Sequence, residues 1–111
     1  MLPKENRLTK KKDFDIVFKE GKSVKGEFLL VKILKSHLKK SRFGFIVSKK
    51  ISNKAVERNK IKRRLRKAFS DRLKSFSGSL DVVIIALPGI LEKNFSEIEQ
   101  AIAKLFKNLH N

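Results

Sequence analysis

The chain has no cysteine, no tryptophan and no tyrosine, and it sets only 11 Asp plus Glu against 28 Lys plus Arg in 111 residues. Without cysteine there are no disulfides, no thiol chemistry and no thiolate-bound metals. The two histidines, His37 and His110, fall in a loop and in the tail, so no zinc site is expected. Long hydrophobic runs are missing too. The longest, Val82 to Leu87, is far short of the ~20 residues that span a bilayer. The opening MLPKENRL has no apolar signal core, so a cytoplasmic protein is expected and the glycosylation-like Asn94-Phe95-Ser96 is without consequence. No Ser/His/Asp or Cys/His set, no pair of carboxylates in apolar surroundings and no Gly-rich phosphate loop occurs, so no catalytic residues are expected in this chain.

What is present is positive charge. A formal charge of +17 makes the free protein repel itself and favours an anionic partner, nucleic acid first. A length of 111 residues fits one domain, residues 1–111, burying about 65% of its unfolded surface, and with this charge a single RNA-binding domain is expected.

The charge is densest in ERNKIKRRLRKAF, Glu57 to Phe69. Ile61, Leu65, Ala68 and Phe69 recur there at i, i+4, i+7 and i+8, and Leu73 and Phe76 extend the stripe, which is one side of an amphipathic helix. Asn59, Lys60, Arg63, Arg64 and Lys67 project from the rest. Arg58, Lys62 and Arg66 rise along the apolar side or its edge, where an unpaired charge cannot be buried, so the first turns are expected to overhang the core. No carboxylate lies between Arg58 and Lys67 to supply i,i+4 pairs. That favours a surface for polyphosphate over a merely solvated face.

In chain order, Lys10–Lys12 lead into a short helix over 13–20, with Phe14, Val17 and Phe18 at i, i+3, i+4 and Gly21 as its stop. Val24 to Leu34 reads as one strand, apolar on both faces except at Lys32, and RFGFIVS after the 36–41 loop reads as its hairpin partner. Ser52 or Asn53 can cap the basic helix, which runs to about Phe76 before Ser77-Gly78-Ser79 ends it. DVVIIAL, 81–87, is apolar throughout, as a central or parallel strand is. Ser96 and Glu99 form a capping box for a last helix whose Ile98, Ala101, Ile102, Leu105, Phe106 and Leu109 make a core stripe. The order predicts an α+β fold, a two-layer sandwich of three helices on a mixed sheet, with one sheet face incompletely covered. Asp13, Asp15 and Glu20 read as a solvated face rather than a metal cluster, and Asp81 as a strand entry. Phe14 and Phe18 fit ordinary core packing. The lysines beside them also fit a ring on which a base stacks along a cationic track.

Taken together, RLTKKKDFDIVFKEG, GFIVSKKISNKAVERNKIKRRLRKAF, the DVVIIAL strand and the final helix resemble the bacterial protein subunit of ribonuclease P over nearly the whole chain. The family's arginine-rich helical motif falls here on Arg58, Asn59, Lys60, Ile61, Lys62, Arg63, Leu65 and Arg66. The resemblance implies a ribonucleoprotein endonuclease that makes the mature 5′ end of tRNA. In it an RNA subunit, with Mg²⁺, hydrolyses the 5′ leader from precursor tRNA. It implies that Arg58, Asn59, Lys60, Lys62, Arg63 and Arg66 face that RNA. Phe14 and Phe18 would line a cleft for the single-stranded leader, flanked by Lys10, Lys12 and Lys49. It also implies a left-handed crossover around the basic helix, contrary to the usual hand. Two positions depart from the family pattern. Lys60 replaces an arginine and loses its bidentate fork, and Val31 stands where relatives often carry a tyrosine. A structural RNA-binding protein, such as a small ribosomal protein, is the competing expectation, and a free-standing nuclease a third. The ordered RNKIKRRLR spacing with the KKDFxxVF helix favours the first, and the lack of an acid/base set counts against the last.

Overall fold

The computed structural model describes residues 3–36, 40–72 and 79–109, the side chains of Phe106, Asn108 and Leu109 excepted. Strands β1 (Lys22–Lys25), β2 (Leu29–Lys35), β3 (Arg42–Ile46) and β4 (Leu80–Ala86) form one mixed sheet in the order β1-β2-β4-β3. Helices α1 (Lys11–Glu20), α2 (Ala55–Asp71) and α3 (Phe95–Leu109) lie against it. α2 ends earlier than the expected Phe76, at Asp71, where the Arg72 N–H donates to the Phe69 carbonyl at 3.1 Å; Leu73, Phe76, positions 77–78 of the expected stop, His37, His110 and the side chains of Phe106 and Leu109 lie outside the described residues.

β4 takes the centre because Asp81, Val82, Val83, Ile84 and Ala86 are all buried, and only an inner strand has two covered faces. It pairs antiparallel with β2 and parallel with β3. The single strand expected over 24–34 is instead a hairpin: β1 pairs antiparallel with β2, and the Gly26 N–H donates to the Leu29 carbonyl at 2.7 Å. Nor is β3 the hairpin partner of β2, since β4 lies between them. The apolar demand of β4 for two neighbours outweighs chain proximity. β3's outer side is met by the N-terminal segment, through the Leu8 N–H to the Phe43 carbonyl (2.9 Å) and Asn6 Nδ2 to the Ser41 carbonyl (2.7 Å).

Side-chain alternation divides the core in two. Leu29, Val31, Phe43, Val82 and Ile84 face α2 and α3, where they meet Ile61, Leu65, Ala68, Phe69, Ile98, Ile102 and Leu105. On the other face Leu8, Val17 and Val83 form a smaller cluster with Phe14, Leu34, Ile46 and Ile85. The apolar stripes read from α2 and α3 are thus buried where described, Ala101 only in part.

The caps differ from the expected ones. α2 begins at Ala55 with Lys54 in the cap position; Ser52 accepts the Lys54 N–H at 3.1 Å and donates its hydroxyl to Glu57. The box on α3 is Asn94 with Glu97, not Ser96 with Glu99. Asn94 Oδ1 accepts the Glu97 N–H (2.9 Å) and Glu97 Oε1 accepts the Asn94 N–H (3.2 Å). The same pattern occurs two residues earlier, which puts Ser96 inside the first turn.

Gly21 ends α1 as expected, but its φ of −76° is open to any residue. Close approach is what requires glycine: a Cβ there would lie 2.6 Å from the Val17 carbonyl oxygen and 3.1 Å from that of Ile33. Both are backbone atoms and cannot swing away. Gly21→Ala should therefore destabilise the protein by about 1–3 kcal/mol, read as a lower denaturant midpoint with unchanged slope.

Candidate nucleic-acid interface

The cations of α2 separate into two stripes. Asn59, Lys62, Arg63 and Arg66 recur at i, i+3, i+4, i+7 and so share one side of the helix. Asn59, Arg63 and Arg66 are exposed, Lys62 is half-buried, and none has a partner among the described residues. Lys60, Arg64 and Lys67 recur at i, i+4, i+7 along another side, turned toward α3. Arg64 Nη1 donates to the Lys93 carbonyl at 2.9 Å, and Lys67 Nζ stands 5.1 Å from the centroid of the Phe95 ring. Arg58 does not overhang freely as expected: it is half-buried, and its Nη1 donates to the Ser52 carbonyl at 2.9 Å. It ties the segment before α2 to the helix.

On the opposite sheet face α1 crosses the strands along one row. Gly44 and Lys32 both stand beside Val83 in the register. Phe14 lies on Gly44, where any Cβ would collide with its ring. Val17 is fully buried against Val83, and Phe18 is beside Lys32, whose Nζ is 5.7 Å from the ring centroid. The next row, Leu30, Ile85 and Ile46, is only half-buried. Asp13, on α1's other flank, reaches the row of Arg42 and Asp81, so Phe14 and Phe18 fall on the flank beside the open row. Together they form a shallow apolar cleft. The expectation of an incompletely covered face is met here.

Phe18 is 37% exposed and Phe14 half-buried. Lys10 and Lys12 at the start of α1 are exposed, as is Lys49, in the turn that follows β3 beyond Ile46. Helical spacing puts Lys11, rather than Lys12, on the side of the two rings. Phe43 and Phe45, which adjoin this region in sequence, belong to the other face: their rings stand 5.7 and 5.8 Å from that of Phe69. Val31 is buried among α2 and α3 contacts as well, so a larger ring there would not reach the cleft.

Sequence reasoning missed the cleft floor of Leu30, Ile46 and Ile85, because it depends on strand order. It also misread Asp13, expected on a solvated face, whereas Asp81 stands at the entry of β4 as expected. Neither is a freely solvated carboxylate, since both accept hydrogen bonds from Arg42. The hydrogen bonds to Asp81 raise the Arg42 pKa above its already high value, against the opposing effect of burial. Among the described residues no group of three or more His, Asp or Glu is placed to hold a metal ion, and no helix is long and apolar enough to cross a membrane.

A family model, Ribonuclease P, matches residues 2–110. The chain belongs to the ribonuclease P protein family. It is 34% identical over 104 residues to the ribonuclease P protein component of Alkaliphilus metalliredigens, covering 94% of this chain and 93% of that one. The structure of the Staphylococcus aureus RNase P protein superposes with a TM-score of 0.85 at 30% identity, covering 94% of both chains. That of Thermotoga maritima gives 0.83 at 31% identity, covering 92% of this chain and 96% of that one. The α+β arrangement of three helices on a four-stranded mixed sheet is shared with these proteins. The chain is therefore a ribonuclease P protein subunit, a nuclease component in tRNA processing with ribonuclease P RNA as partner, and the ribosomal alternative is not favoured.

The two stripes of α2 predict different consequences of alanine substitution. Arg64→Ala removes the bond to the Lys93 carbonyl and should cost about 1 kcal/mol of stability. Arg63→Ala should stay within about 0.5 kcal/mol of the parent. Equilibrium denaturation of the two variants compares them directly.

Proposed function

We propose that this chain holds the ribonuclease P RNA along α2 and the 5′ leader of precursor tRNA in the α1 cleft, while the RNA performs the Mg²⁺-dependent hydrolysis. The observation that carries the leader site is the single-row crossing of α1, which leaves Leu30, Ile46 and Ile85 half-open beside an exposed aromatic ring and cationic side chains. Bases stack on such rings whatever their identity, and lysines hold the phosphates between them. Phe14, Phe18, Lys10 and Lys49 form this site with Lys11, which shares the rings' side of α1; Lys12, expected beside them, is exposed on another side.

The RNA-facing residues are Asn59, Lys62, Arg63 and Arg66 on the unpartnered stripe, with Arg58 at its start and Lys60 at the N-terminal end of the other side. Mg²⁺ is assigned to the RNA. Asp13 and Asp81 are already paired with Arg42. Protein alone should leave precursor tRNA uncut. RNA alone at high Mg²⁺ should cut it, and the two together should cut it at low Mg²⁺. Cleavage by RNA-free protein at ordinary turnover would falsify this division of labour. The protein is assigned to the cytoplasm, where precursor tRNA is made.

If α2 neutralises about six phosphates, log affinity for the RNA should fall against log salt with a slope near −4 to −5. The double variant Arg63→Ala, Arg66→Ala should flatten that slope with the fold retained. An unchanged slope would place the RNA surface elsewhere.

The rings of α1 should respond differently from core residues. Phe18→Ala should leave the melting midpoint nearly unchanged yet weaken binding by about 1–3 kcal/mol, and only for substrates with a leader several nucleotides long. Phe14→Ala should show the same leader dependence plus a stability loss of up to about 3 kcal/mol, because its ring packs on Gly44. Equal weakening for precursor and mature tRNA would make both rings core residues and remove the site.

A further inference from the structure

The Arg42 guanidinium joins three elements. Its Nε and Nη2 bond Asp81 Oδ1 and Oδ2 at 2.9 and 2.7 Å, and its Nη1 bonds Asp13 Oδ2 at 3.2 Å. Arg42 and Asp81 are direct partners in the β3–β4 register, so the sheet itself holds the guanidinium plane. The remaining nitrogen is thereby aimed at the first turn of α1. All three side chains are largely buried, at 20%, 11% and 17% exposed for Arg42, Asp81 and Asp13. The arrangement is a fixed strut rather than a fluctuating surface pair.

Its position on α1 matters. Asp13 occupies the flank opposite Phe14 and Phe18, so drawing Asp13 down toward Arg42 sets the roll of the helix about its own axis. The far end of α1 is held by Lys32 Nζ, which donates to the Phe18 carbonyl at 3.4 Å, and by the close approach of Gly21 to Ile33. With both ends fixed, the heights of the two rings above the open row are determined. We propose that the Asp13–Arg42 bridge is a positioning device for the leader cleft proposed above. It sets the roll of α1, and so the width of the cleft, without touching the leader.

Simple electrostatics predicts the opposite sign for the test. Removing the Asp13 charge raises the positive charge of an already strongly cationic protein, which by itself tightens RNA binding. Asp13→Asn leaves the Arg42–Asp81 pair intact, and a melting midpoint confirms folding. In holoenzyme reconstituted with the RNA subunit, Asp13→Asn should weaken affinity for precursor tRNA on the order of tenfold, the size of losing about one stacked base. Affinity for mature tRNA should be unchanged. Asp13→Glu, which keeps the charge, should restore most of the loss. In a Phe18→Ala background, Asp13→Asn should cost little more, because a strut that acts through the ring has nothing left to position. Unchanged or tighter binding of precursor by Asp13→Asn, or a loss fully additive with Phe18→Ala, overturns the bridge's role while leaving the leader site standing. Absence of any leader dependence in Phe18→Ala alone overturns the leader site itself, and the strut with it.

Discussion

The central strand, Leu80–Ala86, requires cover on both of its faces, and the rest of the structure follows from how three helices divide that task. α2 and α3 together bury the face formed by Val82, Ile84 and Ala86. Among the described residues α1, with Leu8 of the N-terminal segment, covers Val83 and Ile85, and a ten-residue helix, about 15 Å long, lies across three strands spaced ~4.8 Å apart without masking more than one row of side chains. It covers Val83 completely and Ile85 only in part. The cleft is therefore what an economical cover leaves over, and its apolar floor needs no dedicated motif. Gly44 belongs to the same constraint: a strand crossed by a helix bearing Phe14 has room for the ring only where there is no side chain.

A second constraint is the shortage of anions. With 11 carboxylates for 28 cations, many basic groups packed against the fold need partners other than acids. Arg58, Arg64 and Lys32 donate to the carbonyls of Ser52, Lys93 and Phe18. Lys32 and Lys67 stand over the rings of Phe18 and Phe95, and Lys93 adds the ring of Phe28 to its pair with Glu97. Carbonyl oxygens and ring faces carry partial negative charge, so they satisfy a cation without supplying a counter-charge. The charge of the molecule thus stays uncompensated while its individual groups are well placed. Phosphate from an RNA supplies what the chain itself omits.

Much of this was legible in the sequence because it depends on local periodicity. Ile61, Leu65, Ala68 and Phe69 are buried as their spacing requires, and DVVIIAL is central as its uniform apolarity requires. What was not legible depends on which strand lies next to which. The run from Val24 to Leu34 alternates well enough to pass for one strand, and only the Gly26 turn distinguishes a hairpin from it. Phe43 and Phe45 adjoin a basic segment in sequence, yet alternation sends them to the α2 face once β3 is fixed beside β4. Asp13 looks like any solvated first-turn acid until the register brings Arg42 opposite Asp81 and within its reach.

The same distinction governs the basic helix itself. As a linear motif, the run from Arg58 to Lys67 reads as one cationic block, and its residues invite a single role. On a helix they diverge, since residues three or four apart share a side while immediate neighbours do not. Arg63 and Arg64 are adjacent in the chain, but Arg63 is exposed and unpartnered among the described residues whereas Arg64 is tied to the Lys93 carbonyl. Lys60 shares its side with Arg64 and Lys67, away from the stripe of Lys62, Arg63 and Arg66. A lysine at that position carries the charge of an arginine without its planar fork. On this side of α2 the more demanding geometry is already supplied by Arg64, whose contact is with the protein.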